Sequence, residues 1–412
     1  MGVNVFPTPS AGASYSSQPP ASASSVLLDG QLVTASSIST SVTGTGAPWL
    51  LYANGAGTTT ITIAGTPYTV TAGSTVGTSA YTGSQSVSVA GPVSGTPSAF
   101  TATTMPSSLL WYSTAYGNGY FVAVTMNAST TGAYSSDGVN WTASTMPNAQ
   151  QFRSVVYGNG TFVALPNNVT TGAYSTNGTT WTAMTVSATA IWYGSAYGNG
   201  YFVAVPSSNL TTSMYSTNGI SWTTSTMPSA SNWISVTYGN GTFVAVAILD
   251  TSGTTTTSAG AYSTNGTTWT ASTMSSAQNW RSVASGLIGS TNYFVAVSGG
   301  STGGASSAGA YSTNGTSWTA STMPSAGAWT ATSYGNGYFV AMAQSSTIMA
   351  YSSNATTWTA GTMPASVSWQ SSTYGAGTFA AMPGSTSTSA AKFAFTPLPV
   401  AYGIYNGATV RA

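Results

Sequence analysis

The sequence predicts an all-β protein whose main body is a seven-bladed β-propeller, and three observations carry that prediction. One pattern recurs from Phe100 to Phe379: an aromatic residue, Y-G-N-G-x-F-V-A-V, A-Y-S-x-N-G-x-x-W-T, then usually T-M-P. Its Tyr-Gly step begins at Tyr116, Tyr157, Tyr197, Tyr238, a degenerate Ser285, Tyr334 and Tyr374, at spacings of 41, 40, 41, 47, 49 and 40 residues. A period near 40 residues that contains several short strands is the signature of a blade repeat. Each unit also reads as four antiparallel strands, the composition of a propeller blade. Finally, Phe100-Thr101-Ala102-Thr103-Thr104-Met105-Pro106 matches the blade-ending segment but precedes the first Y-G-N-G. The last unit lacks such an ending, so this N-terminal strand is expected to complete the seventh blade. Closing the ring in this way removes exposed sheet edges.

From the N-terminus, residues 1–25 are rich in Pro, Ser and Ala, including Gln18-Pro19-Pro20. Such composition favours an extended arm, either unattached or docking into a larger assembly. Residues 26–93 read as a small, β-sandwich-like anchoring domain. Two short runs, Val26-Leu27-Leu28 and Gln31-Leu32-Val33-Thr34, flank Asp29-Gly30, a strong hairpin signal. Thr60-Ile61-Thr62-Ile63 and Ser86-Val87-Ser88-Val89 alternate with the period of a strand. The propeller is assigned to 94–396, and 397–412 to a C-terminal tail.

Within one unit, Trp233 to Tyr238 forms a first strand. Asn240-Gly241 supplies the positive φ angles of a tight type I′ turn. Thr242 to Val246 forms a second strand, a variable loop leads to Ala261-Tyr262-Ser263, and Asn265-Gly266 turns the chain into Thr268 to Ala271. Strand direction alternates, so both Asn-Gly turns lie on one face. The loops between second and third strands lie on the other, and they lengthen at 247–260 and 298–309. Function concentrates where a rigid scaffold displays variable loops, although tolerated drift in Thr, Ser and Gly gives the same pattern.

Composition excludes much chemistry. Only seven residues are charged: Arg153, Arg281, Lys392, Arg411, Asp29, Asp137 and Asp250. There is no His, Cys or Glu. The chain is 42% hydrophobic and 12% aromatic, enough to bury a large core rather than remain disordered. Four scattered cations cannot neutralise a nucleic-acid backbone. Transition-metal sites lack their usual ligands, and a lone Asp250 offers calcium a single carboxylate. A Ser–His–Asp triad has no histidine, and no cofactor is expected. No apolar run reaches the length of a membrane span. Met1 to Pro9 shows no cationic segment followed by an apolar stretch, so no Sec-type signal is read there.

The segment Ser135-Ser136-Asp137-Gly138-Val139-Asn140-Trp141 and its counterparts resemble the Asp-box repeat of sialidase-like propellers, usually written S-x-D-x-G-x-T-W. Here one residue is missing between Asp and Gly, and Asn replaces Asp at Asn177, Asn218, Asn265, Asn314 and Asn354. The resemblance implies a structural turn and a propeller, not hydrolysis. Sialidase chemistry needs an arginine cluster and a Tyr–Glu pair, and this chain has no Glu. Degenerate low-charge repeats of this kind also resemble those of bacteriophage tail-fibre and virion surface proteins. That resemblance implies a non-catalytic virion surface protein, a fibre or adhesin binding a host glycan or receptor. Its partners would be other virion proteins, held through the N-terminal region. A capsid-decorating protein and a secreted lectin-like adhesin are the alternatives.

The candidate ligand-binding residues follow from the variable face. Each first strand begins with an aromatic: Trp111, Phe152, Trp192, Trp233, Trp280, Trp329 and Trp369. These form either a sugar-stacking ring at the channel mouth or apolar packing between blades. Arg153 and Arg281 directly follow two of them and break the monotony. Each either pairs with an acidic glycan or a neighbouring subunit, or extends to solvent. Asp250, in the long fourth-unit loop, completes the set.

Overall fold

The computed structural model describes residues 93–248, 256–299 and 304–397. It also describes the strands Ser25–Leu28, Gln31–Thr34, Ile38–Asn54, Thr58–Ile63, Thr66–Thr71, Thr75–Ala90 and Ala401–Tyr405. The chain divides into two compact units, Met1–Thr96 with Phe395–Ala412, and Pro97–Ala394. The expected arm lies outside the described residues up to its last position.

In the first unit the Asp29-Gly30 signal corresponds to an antiparallel pair in which Leu28 faces Gln31. The expected sandwich-like arrangement is not seen among the described residues of this unit, whose strands form a short two-stranded pairing of Val93–Ser94 with Thr396–Pro397 and one seven-stranded sheet. Two of its strands, Ile38–Asn54 and Thr75–Ala90, run 17 and 16 residues, longer than the sequence pattern suggests. The supposed C-terminal tail also enters this sheet. Ala401–Tyr405 pairs in parallel with Ser25–Leu28 and antiparallel with Ile38–Asn54.

The second unit is a β-propeller. Five four-stranded sheets stand as separate blades, starting at Phe152, Trp192, Trp233, Trp280 and Trp329. Seven separate blades were expected. The remaining strands form one seven-stranded sheet because Thr101–Gly117 runs unbroken through two pairings. Its first part, Thr101 to Leu110, pairs with Thr386–Ala394; its second, Trp111 to Gly117, pairs with Tyr120–Thr125. Phe100 fixes the start of this strand, buried against Phe379 and Phe393 at ring distances of 6.4 and 6.1 Å. The innermost strands contact one another in sequence, and Trp369–Gly375 returns to Thr101–Gly117.

Local chemistry explains the repeat. The F-V-A-V strands are buried on both faces, so Phe121, Val122, Ala123 and Val124 are each fully enclosed. Such a strand reads as a continuous apolar run. The turn before it has φ of 47° at Asn118 and 79° at Gly119, the positive values that Asn and Gly tolerate. The glycine of each Tyr-Gly step has a different task. The Tyr197 ring lies flat against Gly158, where any Cβ would overlap it, and the same holds for Tyr157 on Gly117 and Tyr116 on Gly375. At the degenerate Ser285, no ring lies on Gly239; its neighbours are the small Ser285 side chain and the Asn292 amide.

The second turn is a side-chain cap. Ser135 Oγ donates to Asp137 at 2.8 Å and accepts from Gly138 N at 2.9 Å, while Val139 N and Asn140 N both donate to Asp137. Asn177 receives the corresponding bonds from Ser175, Thr179 and Thr180. The residue acts there as an acceptor, so Asp and Asn are interchangeable.

Candidate functional site

The tryptophans do not form a stacking ring. Trp111, Trp192, Trp233, Trp280, Trp329 and Trp369 are all fully buried, and Phe152 nearly so. Most also spend their indole donor inside the blade: Trp233 Nε1 donates to Ser229 O at 3.1 Å and Trp369 Nε1 to Ala365 O at 3.1 Å. They are core, which corrects their candidacy as ligand-binding residues. Asp250 lies outside the described residues.

The residue after each aromatic is the one that reaches the channel. Trp111 pairs with Thr125 and Ser113 with Val124, so Tyr112 is an extra, unpaired residue in a β-bulge. The same register shift recurs at Arg153, Tyr193, Ile234, Arg281, Thr330 and Gln370. A bulge redirects its side chain out of the regular alternation. Here all seven bulge residues line one cavity of about 200 Å³ among the innermost strands.

Hydrogen bonds between neighbouring innermost strands fix the wall below the bulges. Val155 N donates to Ser113 Oγ at 3.0 Å, Val283 N to Ser235 Oγ at 3.1 Å, Thr332 N to Ser282 Oγ at 3.0 Å, and Thr114 N to Ser371 Oγ at 3.1 Å. The hydroxyls of Ser154 and Ser195 bond to each other. The lining is therefore rich in hydroxyls, and none of its residues is acidic.

The structure brings both predicted arginines into this cavity but treats them differently. The Arg153 guanidinium carbon lies 4.7 Å from the Tyr112 ring centre and 4.8 Å from that of Tyr193. The ring centres are 5.7 Å apart, so the two rings subtend less than a right angle at the cation and both sit to one side of it. Cation–π attraction strengthens in such a partly desolvated place. Arg153 Nε donates to Asn167 Oδ1 at 3.1 Å, and Asn167 Nδ2 donates to Gln151 Oε1 at 2.7 Å. The Tyr112 and Tyr193 hydroxyls bond to each other. Burial, reinforced by Tyr193, pushes the Tyr112 phenol far above its usual range, so it remains neutral.

Arg281 is half-buried and has no hydrogen-bond, ion-pair or ring partner among the described residues. Its stem passes Gly299, where a Cβ would collide with Cδ and Nε. Sequence reasoning found the two arginines but missed Tyr112, Tyr193, Gln370 and the supporting Asn167. No group of three or more His, Cys, Asp or Glu comes together among the described residues.

The fold is shared with known propellers. A streptogramin B lyase structure superposes with a TM-score of 0.61 at 11% identity, covering 72% of this chain and 97% of that one. A catalytically inactive virginiamycin B lyase from Staphylococcus aureus with quinupristin gives 0.58 at 12%, covering 71% and 98%. YCF48 bound to D1 peptide gives 0.52 at 12%, covering 74% and 99%. At these identities the likeness is one of fold. No protein-family model matches the chain, and no curated protein does.

Proposed function

We propose that this chain is a non-catalytic display protein of a virus particle surface, a fibre or adhesin whose propeller binds a host glycan or receptor at its channel mouth. The observation that carries this reading is the ring of bulge residues. The scaffold repeats almost unchanged, whereas the bulge position that lines the channel reads Tyr, Arg, Tyr, Ile, Arg, Thr, Gln. Variation confined to a converging position on a rigid frame is the pattern of a binding site. The unit of Met1–Thr96 with Phe395–Ala412 serves as the anchor to other virion proteins.

Counted by innermost strands, the ring has seven blades, with Thr101–Gly117 serving the first and the seventh. The Ser-x-Asn-Gly turns are then degenerate relatives of the Asp box. The absence of catalysis is supported by composition. The inactive lyase form carries a histidine-to-alanine substitution, and this chain contains no histidine at all. Incubation with a streptogramin B should leave the antibiotic intact by chromatography.

The full chain should bind host cells, and antibody against it should label the surface of intact particles in electron micrographs. Absence from the particle, or no binding to any cell or glycan, would overturn the proposal.

A further inference from the structure

Two arginines face a cavity whose described lining contains no acid. Arg281 has no protein partner among the described residues, and Arg153 is only partly satisfied by Asn167 and the two tyrosine rings. Half-buried cations with no counter-charge among the described residues favour an anion more strongly than cations in open water, because the surrounding medium screens less. In a chain with four cations in total, placing two at bulges of one cavity concentrates half of that charge at one point.

The anion's nature follows from the donors. A guanidinium presents a planar fork that matches a carboxylate with two parallel bonds. The remaining lining offers the amide of Gln370 and the hydroxyls of Ser195, Ser235 and Ser372, each of which has one protein hydrogen bond and capacity for another toward a sugar hydroxyl. Size sets the limit: about 200 Å³ lies below the roughly 300 Å³ at which drug-sized ligand sites begin. One terminal sugar fits, not an oligosaccharide.

We infer that the channel mouth is a site for a single carboxylated sugar, with Arg281 as the cation that engages the carboxylate and Arg153, on another strand of the same cavity, held in place by Tyr112, Tyr193 and Asn167. This deepens, and rests on, the glycan-binding reading above. Arg281 does the recognition because its guanidinium has no partner among the described residues, and Gly299 lets its stem pass close to the backbone on the way into the cavity. Arg153 contributes fixed positive potential from a braced position.

Calorimetric titration of the full chain with glucuronate and, separately, glucose tests the assignment. Glucuronate should bind at least tenfold more tightly than glucose and weaken as sodium chloride is raised. Arg281→Gln should lower glucuronate affinity at least tenfold, and Arg281→Lys should also lower it, with the thermal midpoint unchanged. Equal binding of the two sugars, no binding of either, or full affinity in Arg281→Gln would overturn it. Glucuronate binding without host-cell attachment would leave this site standing and remove the adhesin reading. Cell attachment without glucuronate binding would do the reverse.

Discussion

Gly158→Ala and Gly239→Ala are chemically identical changes at equivalent positions of two innermost strands, and the structure gives them different costs. Neither glycine has a positive φ, so backbone strain does not enter. At Gly158 the new methyl would fall inside the Tyr197 ring, well under 3 Å from three of its carbons. That ring also packs on Phe202 at 4.7 Å between centres. Displacing it costs about 1–3 kcal/mol for overpacking and about 0.5–1.5 kcal/mol for the disturbed aromatic pair. The lower entropy of an unfolded Ala returns about 0.4–1 kcal/mol, leaving a loss near 2 kcal/mol. At Gly239 the Ser285 hydroxyl can rotate away, but Ser285 Cβ at 2.8 Å and Asn292 Nδ2 at 3.0 Å must still give by a few tenths of an ångström, so the loss should be about 1 kcal/mol, below that at Gly158. Urea denaturation followed by tryptophan fluorescence reads this directly, since all tryptophans but Trp49 lie in Pro97–Ala394. Equal midpoints for the two variants, or an unshifted Gly158→Ala, would refute the ring-on-glycine account of blade packing.

Ala376 holds φ of 46° where the other Y-G-N-G turns have Asn, so Ala376→Asn should stabilise by about 0.5–1 kcal/mol, seen as a higher thermal midpoint. Trp233→Ala removes a fully buried indole and should cost about 3–5 kcal/mol; lost sugar binding at unchanged stability would instead restore the stacking ring. At Asp137, burial would raise the carboxyl pKa, but bonds from Asn140, Val139 and Ser135 outweigh it and hold it down to about 2. Its stabilisation is therefore present above the ordinary carboxylate pKa of 3.8 and is lost as pH falls through about 2. Because the group is largely solvent-accessible, that contribution is about 1 kcal/mol at most. Asp137→Asn, measured by denaturation at pH 5 and pH 2, should keep the pH 5 stability and lose this part of the acid dependence.

The turns and strands were legible in the sequence because each depends on local chemistry. Asn118-Gly119 needs only its own φ angles, and Ser135 caps a turn within three residues. The closing strand was also legible, since Phe100 to Pro106 repeats a segment found elsewhere. The orientation at the channel mouth was not. Strict alternation cannot say whether Trp111 or Tyr112 faces inward, because a bulge inserts one residue and shifts everything before it. A clue was present, though: the aromatic is constant from unit to unit, while its successor changes chemistry. Constancy marked packing and variation marked the cavity. The pairing of Ala401–Tyr405 with Ser25–Leu28 had no local signal, being a contact across nearly the whole chain.

The strand Thr101–Gly117 also imposes an order in time. Apart from a single bridge from Thr104 to Asn140, its first half has no strand partner until Thr386–Ala394 exists. At roughly 5–20 residues per second of synthesis, those later residues emerge some tens of seconds after Gly117. Until then the growing chain carries an open sheet edge, the kind of surface that recruits other chains. Completion by such a distant pairing is slow to find even once both ends exist. The waiting edge is mixed: Thr101, Ala102, Thr103 and Thr104 offer a neighbouring chain little apolar surface to bury, whereas Leu109 and Leu110 at its other end expose more until the late pairing covers it.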